Sequence, residues 1–369
     1  MRSFFFIPVI VFCAFTCRNT DVPLFEIHNG INISHWLSQS DRRGESRSSY
    51  FTRADVAFLA GLGYDHLRIP IDEEQMFDSD GNREPEAFSL LHNALEWCAE
   101  FRLRAVVDLH ILRSHHFNHA EKPLFVDPAA QEKFYACWRT LSGELNKYPN
   151  HMVAYELMNE PVADDPEIWN VIVNRCAATV RELEPERTIV IGSNRWQSYH
   201  TVKDLRLPEN DAHIIIGFHY YEPFLLTHYR ASWTSQKNLT VPVHYPGQLV
   251  SDEDMEAGGS AELARAGQRN ETYDMEKIES HFRQVLDVAQ QYGLKVYCGE
   301  YGCIDEAPHE DKIRWYRDMN TLFNACGIAR ANWDYKGSFA ILRDGVEQQE
   351  MLEAILGKQF KNISADPKK

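Results

Sequence analysis

The sequence predicts an α/β fold, a single-domain closed (β/α)8 barrel, and three observations point to it. From about residue 27 onward, eight short runs rich in Val, Ile and Tyr alternate with longer stretches of helical periodicity, the rhythm of strands and helices taking turns. The strand runs are apolar on both faces, so they need cover on both sides, as parallel strands wrapped by helices have. Nearly every run also ends in a polar or aromatic residue, and closure would bring those ends onto one rim. An open doubly wound sheet is the architectural competitor, and the placement of these terminal residues favours the barrel.

In chain order the expected strands are Ile27–Trp36, Tyr64–Ile71, Arg104–His110, Met152–Glu160, Thr188–Trp196, His213–Tyr221, Lys295–Gly302 and Ile328–Tyr335. Between and after them lie expected helices at Arg53–Leu62, Pro85–Phe101, Ala129–Tyr148, Pro166–Leu183, Tyr273–Tyr292, His309–Cys326 and Glu347–Leu356, with a weak one after Ser198. In the second helix Phe88, Leu91, Leu95, Cys98 and Ala99 recur at three- and four-residue steps, which gives one buried stripe. Pro128 and Pro166 stand where first turns begin, and Gly327 stands where a left-handed cap is wanted. The stretch 222–272 shows little sustained period. Its first half has the aromatic density of a binding surface, and its second half reads as a solvated excursion. An irregular stretch of this length in a compact domain is commonly functional or disordered.

The chain has 369 residues, 44% hydrophobic and 25% charged, the composition of an ordinary globular protein. Its 38 basic and 54 acidic residues give a formal charge of −16. Polyanion binding relies on concentrated Lys and Arg, so nucleic acid is not expected as a partner. Residues 1–17 carry an early Arg, an apolar stretch from Phe4 to Phe15 and small residues near its end, the layout of a secretory signal. The expected organisation is therefore a signal peptide over 1–17 and a single folded domain over 18–369, exported to the periplasm, the outer membrane or the medium; a monomer is expected.

Ala14 to Cys17 loosely resembles a bacterial lipobox, which would make Cys17 a lipid anchor point. No stretch is long enough for a transmembrane helix. After the signal six cysteines remain, and export would permit disulfides. Their spacings contain no CxxC pair, and buried apolar thiols are the expected state for most of them.

Two glutamates carry the chemistry: Glu160 in LMNEP and Glu300 in CGEYG, each at the end of a β-type run. A barrel would let them face each other. Two facing carboxyl groups are what acetal cleavage needs, one to protonate the departing oxygen and one to attack or stabilise the anomeric carbon. A nearby negative charge or desolvation raises a carboxyl pKa, which keeps the acid protonated near neutrality. Arg68 in LRIPI is suited to hold the partner glutamate ionised.

These motifs resemble the cellulase-type glycoside hydrolases of family 5, a clan of retaining barrel enzymes. Asn159-Glu160-Pro161 resembles the family's acid/base motif, and Glu300 within Gly299-Glu300-Tyr301-Gly302 its nucleophile. Arg68, His110 in VVDLH, His219 and Tyr221 in FHYYEP, and Trp333 in NWDY match the remaining family positions, in order, on strands two, three, six and eight. The resemblance spans nearly the whole chain after residue 17. It implies hydrolysis with retained configuration, no metal and no organic cofactor, and an oligo- or polysaccharide substrate. A cellulose-like β-1,4-glucan is the leading substrate; β-mannan, xyloglucan and, with exo action, β-1,3-glucan are the alternatives within the family.

On that reading Tyr221 donates to the nucleophile, Asn159 binds the hydroxyl next to the anomeric centre, and His110 and His219 complete a polar floor. Trp333 offers a flat face to the apolar side of a pyranose. Trp36, Trp196, Tyr229 and Trp233 are further platform candidates, and His116 and Asn118 are cleft candidates, whereas Trp97, Trp138, Trp169 and Trp315 lie in helical stretches where packing is the default. The histidines of Ser114 to His119 lack a recognisable metal-ligand spacing with Cys or Asp. Two other functions compete: a sugar-binding barrel without catalysis and a metal-dependent hydrolase.

Overall fold

The computed structural model describes residues 24–343 and 346–360, so the expected leader at 1–17 lies outside the described residues. Eight parallel strands close into a barrel: β1 Asn29–Asn32, β2 His66–Asp72, β3 Arg104–Ile111, β4 Val153–Glu156, β5 Ile189–Gly192, β6 Ile214–Tyr220, β7 Lys295–Tyr301 and β8 Ala329–Asn332. Each pairs with its neighbours in chain order, and β8 returns to β1. The helices outside are α1 Arg53–Leu62, α2 Pro85–Glu100, α3 Pro128–Leu145, α4 Pro166–Leu183, α5 Met275–Tyr292, α6 His309–Cys326 and α7 Gln349–Leu356. Where a weak helix is expected after Ser198, the chain makes a 3-10 turn over Tyr199–Asp204.

Local chemistry accounts for the helix ends. Asp127 and Asp165 accept backbone N–H groups ahead of Pro128 and Pro166, which begin α3 and α4. Gly293, Gly327 and Gly357 close α5, α6 and α7 in the left-handed conformation. Burial forms two regions. A small cluster of Val106, Ala154, Val190, Ile215, Tyr297 and Ala331 fills the barrel interior, with Phe25 and Ile27 below it, and a large shell lies between strands and helices. In that shell Trp138, Trp169 and Trp315 are fully buried, each with its indole N–H on a backbone carbonyl, as their helical placement predicts.

The interior cluster fixes which residues face inward, because side chains alternate along a strand. Val106 places Asp108 and His110 on the inner face of β3, and Ile215 does the same for His219 on β6. On β7 the alternation from Tyr297 would turn Glu300 outward. The ladder shifts at this point against both neighbours, leaving Gly299 without a partner. Such a bulge re-aims the next side chain, and Glu300 enters the barrel mouth beside Glu160. A Cβ on Gly299 would meet the His219 ring at 3.2 Å and Arg68 at 3.4 Å, so the bulge residue must be small.

The 222–272 stretch is more ordered than its sequence suggests. It carries short helical turns at Phe224–Thr227, Asp252–Asp254, Met255–Gly259 and Ser260–Arg265, and Gly247–Gln248 pairs with Thr272–Tyr273. Its second half is not a purely solvated excursion, since Leu263 and Ala266 are buried. Among the described residues all six cysteines are free and only Cys326 is not buried. No described helix is long and apolar enough to cross a membrane.

Candidate active site

The C-terminal ends of the strands converge on Arg68, which is completely buried and donates in four directions. Its Nε and one terminal nitrogen meet the two oxygens of Glu156 at 2.7 and 3.0 Å. The other terminal nitrogen meets Glu300 at 2.7 Å and Asn32 at 2.9 Å. Asn159 accepts at 2.9 Å, and Asp108 lies 3.1 Å away. A guanidinium offers five donors in a fixed plane, and this fork matches that geometry.

Glu300 is fixed at both oxygens, by Arg68 on one and by the Tyr221 hydroxyl at 2.9 Å on the other. Glu160 is 13% exposed, and one of its oxygens lies 3.0 Å from His219 Nδ1. One oxygen from each glutamate and a His219 ring nitrogen all lie within 4.8 Å of one another. Burial and then the negative charge of Glu300 push the Glu160 carboxyl well above the usual range. Burial also raises Glu300, but the Arg68 charge and the Tyr221 hydrogen bond oppose the rise. Burial holds His219 well below the usual imidazole range and His110 down to about 3, so both rings are neutral near pH 7.

This triad of Glu160, His219 and Glu300 has the spacing of a cation site. Its chemistry argues otherwise, because both Glu300 oxygens already accept hydrogen bonds and a metal ion would sit against the Arg68 charge.

Two pockets meet at Glu160. The first, about 410 Å³, is lined by Trp333, His110, Gln39, Asn159 and Glu300, together with the expected His116 and Asn118. Trp333 stacks on His110 with ring centroids 5.6 Å apart and planes 8° from parallel. The second, about 470 Å³, takes in Trp196, Trp233, Tyr221, His219 and Glu222. Trp196 and Trp233 remain 44% and 55% exposed, so their faces are available. The Asn159 amide nitrogen is buried without a partner, a free donor beside the two carboxyl groups.

Trp36 and Tyr229 are corrections to the sequence reading. His35 has a φ of 54°, and beyond this turn Trp36 packs on Phe51, fully buried, with its N–H on the Arg47 carbonyl. Tyr229 is buried with its hydroxyl on the Val241 carbonyl, where it pins the 222–272 stretch. Trp36→Ala is therefore expected to cost about 3–5 kcal/mol of stability, measured by denaturant unfolding, while Trp36→Phe leaves KM unchanged. A raised KM in the phenylalanine variant would return Trp36 to the cleft.

The sequence reading also missed Asp108, Glu156 and Gln197. Asp108 lies two residues before His110 on the same strand face, and it accepts from or donates to that ring at 2.7 Å. A charged residue in phase with a candidate site residue is the signal that would have found it. Glu156 follows the same parity from Ala154. Nothing in the sequence marks Gln197.

A (β/α)8 barrel in which a buried Glu300 and a partly exposed Glu160 face one mouth has the arrangement that glycoside hydrolysis uses. The chain belongs to glycosyl hydrolase family 5, the cellulase family, whose model matches residues 29–338. It is 30% identical to endoglucanase C of Acetivibrio thermocellus over 312 residues, covering 83% of this chain and 90% of that protein. It is 32% identical to cellodextrinase A of Ruminococcus flavefaciens over 308 residues, covering 82% and 84%. Among solved structures, endoglucanase Cel5A of Thermotoga maritima superposes with a TM-score of 0.72 at 21% identity, covering 89% of this chain and 96% of that one, a likeness of fold.

Proposed function

We propose that this glycosidase cleaves a β-linked glucan, foremost a β-1,4-glucan, by double displacement, with Glu160 as acid/base and Glu300 as nucleophile. The observation that carries the reading is the approach of the two carboxyl groups to within 4.8 Å. Retaining enzymes place them about 5–5.5 Å apart, whereas inverting enzymes need about 6.5–9.5 Å to admit a water. The names of the relatives, an endoglucanase and a cellodextrinase, support a glucan.

In the first step a Glu300 oxygen bonds to the anomeric carbon, the bond to the leaving oxygen breaks, and the Glu160 proton passes to that oxygen. In the second, Glu160 takes a proton from water, the water oxygen bonds to the same carbon, and Glu300 departs as carboxylate. The free Asn159 amide N–H is placed to bind the neighbouring hydroxyl, a bond that strengthens in the oxocarbenium-like transition state. Trp333 floors the subsite on the Glu300 side.

Hydrolysis of soluble β-glucan, β-mannan and xyloglucan, followed by proton NMR of the first product formed, tests the reading. A β-anomer from a glucan is expected; an initial α-anomer would remove the double displacement. The pH profile provides a second check. Glu300 must be ionised and Glu160 protonated, so kcat/KM falls below the first apparent pKa of the coupled pair and above the second. The alkaline limb is expected well above the ordinary glutamate range, and Glu160→Ala is expected to lose it. An alkaline limb unchanged in that variant would assign the acid elsewhere.

Export through residues 1–17, with lipid attachment at Cys17 as a variant of it, is part of the same proposal. It is supported by the apolar run Phe4 to Phe15. The N-terminal mass of the protein recovered from cell fractions tests it.

A further inference from the structure

Two buried side chains hold the backbone of Glu160, and neither touches substrate in the proposed reaction. The Gln197 side-chain oxygen accepts the Glu160 N–H at 3.0 Å. His115 Nε2 lies 3.1 Å from the Glu160 carbonyl oxygen. A carbonyl only accepts, so Nε2 carries the proton and Nδ1, which has no partner, is the bare nitrogen. Glu160 has a φ of 45°, a left-handed conformation that a non-glycine residue keeps only where its surroundings enforce it.

Gln197 is itself built into place. Arg195, Trp196 and Gln197 have φ values of 57°, 60° and 53°, three successive left-handed residues without a glycine. This turn leaves Trp196 in the cleft and buries Gln197 completely. Two glycines make the slot: a Cβ on Gly192 would lie 2.1 Å from the Gln197 amide nitrogen, and one on Gly217 would lie 3.2 Å from it. That nitrogen donates to Glu156 at 3.1 Å, the carboxylate that Arg68 grips while its other end holds Glu300. The backbone N–H of Trp196 adds a second tie, to the Pro161 carbonyl at 3.3 Å.

We propose that Gln197 and His115 form a clamp on the Glu160 backbone that aims its carboxyl group at the leaving-group oxygen. They are positioning residues, and the inference rests on Glu160 being the acid/base. The clamp matters for any step that needs a proton moved by Glu160 and much less for one that does not.

The test compares Gln197→Met and His115→Phe with the wild type on two substrates. A cellooligosaccharide needs its leaving oxygen protonated; a 2,4-dinitrophenyl cellooligoside releases a stable phenolate without a proton. For each variant kcat/KM is expected to fall ~100-fold on the first and less than ~10-fold on the second, the scale of a misplaced general acid. Azide, a nucleophile that needs no base, is expected to restore kcat on the dinitrophenyl substrate. Equal falls on both substrates, or no fall on either, would overturn the clamp. If the Met variant fails to fold, His115→Phe carries the comparison, because its ring keeps the packing on Phe125. A wild-type protein inactive on both substrates would instead sink the role of Glu160, and the clamp with it.

Discussion

Replacing Glu300 by Gln is expected to remove turnover by on the order of 10⁵-fold or more, the scale of losing a covalent nucleophile, while oligosaccharide binding survives. The amide keeps the side chain's shape, and Trp333, Asn159 and the exposed faces of Trp196 and Trp233 remain in place. Its neutral amide oxygen is a far weaker nucleophile than a carboxylate and cannot form the glycosyl ester. Hydrolysis rates and calorimetric titration with an oligosaccharide separate the two effects. Turnover within tenfold of wild type would place the nucleophile elsewhere. Loss of binding together with turnover would show that the substitution had disturbed the cleft.

The second large effect falls on Arg68, where catalysis and stability meet. Arg68→Met leaves Glu156, Asp108 and Glu300 buried without the cation they share. Removing one member of a buried charge network costs about 3–5 kcal/mol, because the remaining charges are uncompensated. Burial already lifts Asp108 to about 7 and raises Glu156, with Arg68 opposing both. In the variant these carboxyl groups retain protons to higher pH, and so does Glu300. Residual activity is therefore expected to have its acid limb shifted upward. Denaturant unfolding checks the stability and kcat/KM against pH checks the limb. An unchanged limb would mean that Arg68 does not set the ionisation of Glu300.

Much of this architecture is legible in the sequence. The period of each strand and helix placed all eight strands, and α1, α4 and α6 span the expected residues, with Pro166 opening α4 and Gly327 closing α6. The apolar runs extend beyond the strands themselves. Met152–Glu160 reads as one apolar run, yet β4 stops at Glu156, because the chain must turn to bring Asn159 and Glu160 over the mouth. The same apolar pattern describes a strand and the buried turn after it. The eight family positions lie together at the barrel mouth, but their partners were less visible. Asp108 is in phase with His110 and so carries a sequence signal, whereas Glu156 requires knowing which parity of β4 faces inward, and only the packed interior fixes that. Trp36 was misplaced because an aromatic at a strand end looks like a rim residue until the turn at His35 is known. Gln197 had no signal, since its role depends on a left-handed turn and on glycines from two other strands.

The six thiols have a practical corollary. Since no crosslink ties one described segment to another, the barrel draws its cohesion from packing and hydrogen bonding, and mild reductants should leave its melting behaviour untouched. Of the six described cysteines, alkylating reagents added to the native enzyme should reach Cys326 first and the other five only after unfolding, which makes maleimide labelling a simple gauge of how tightly the barrel stays shut.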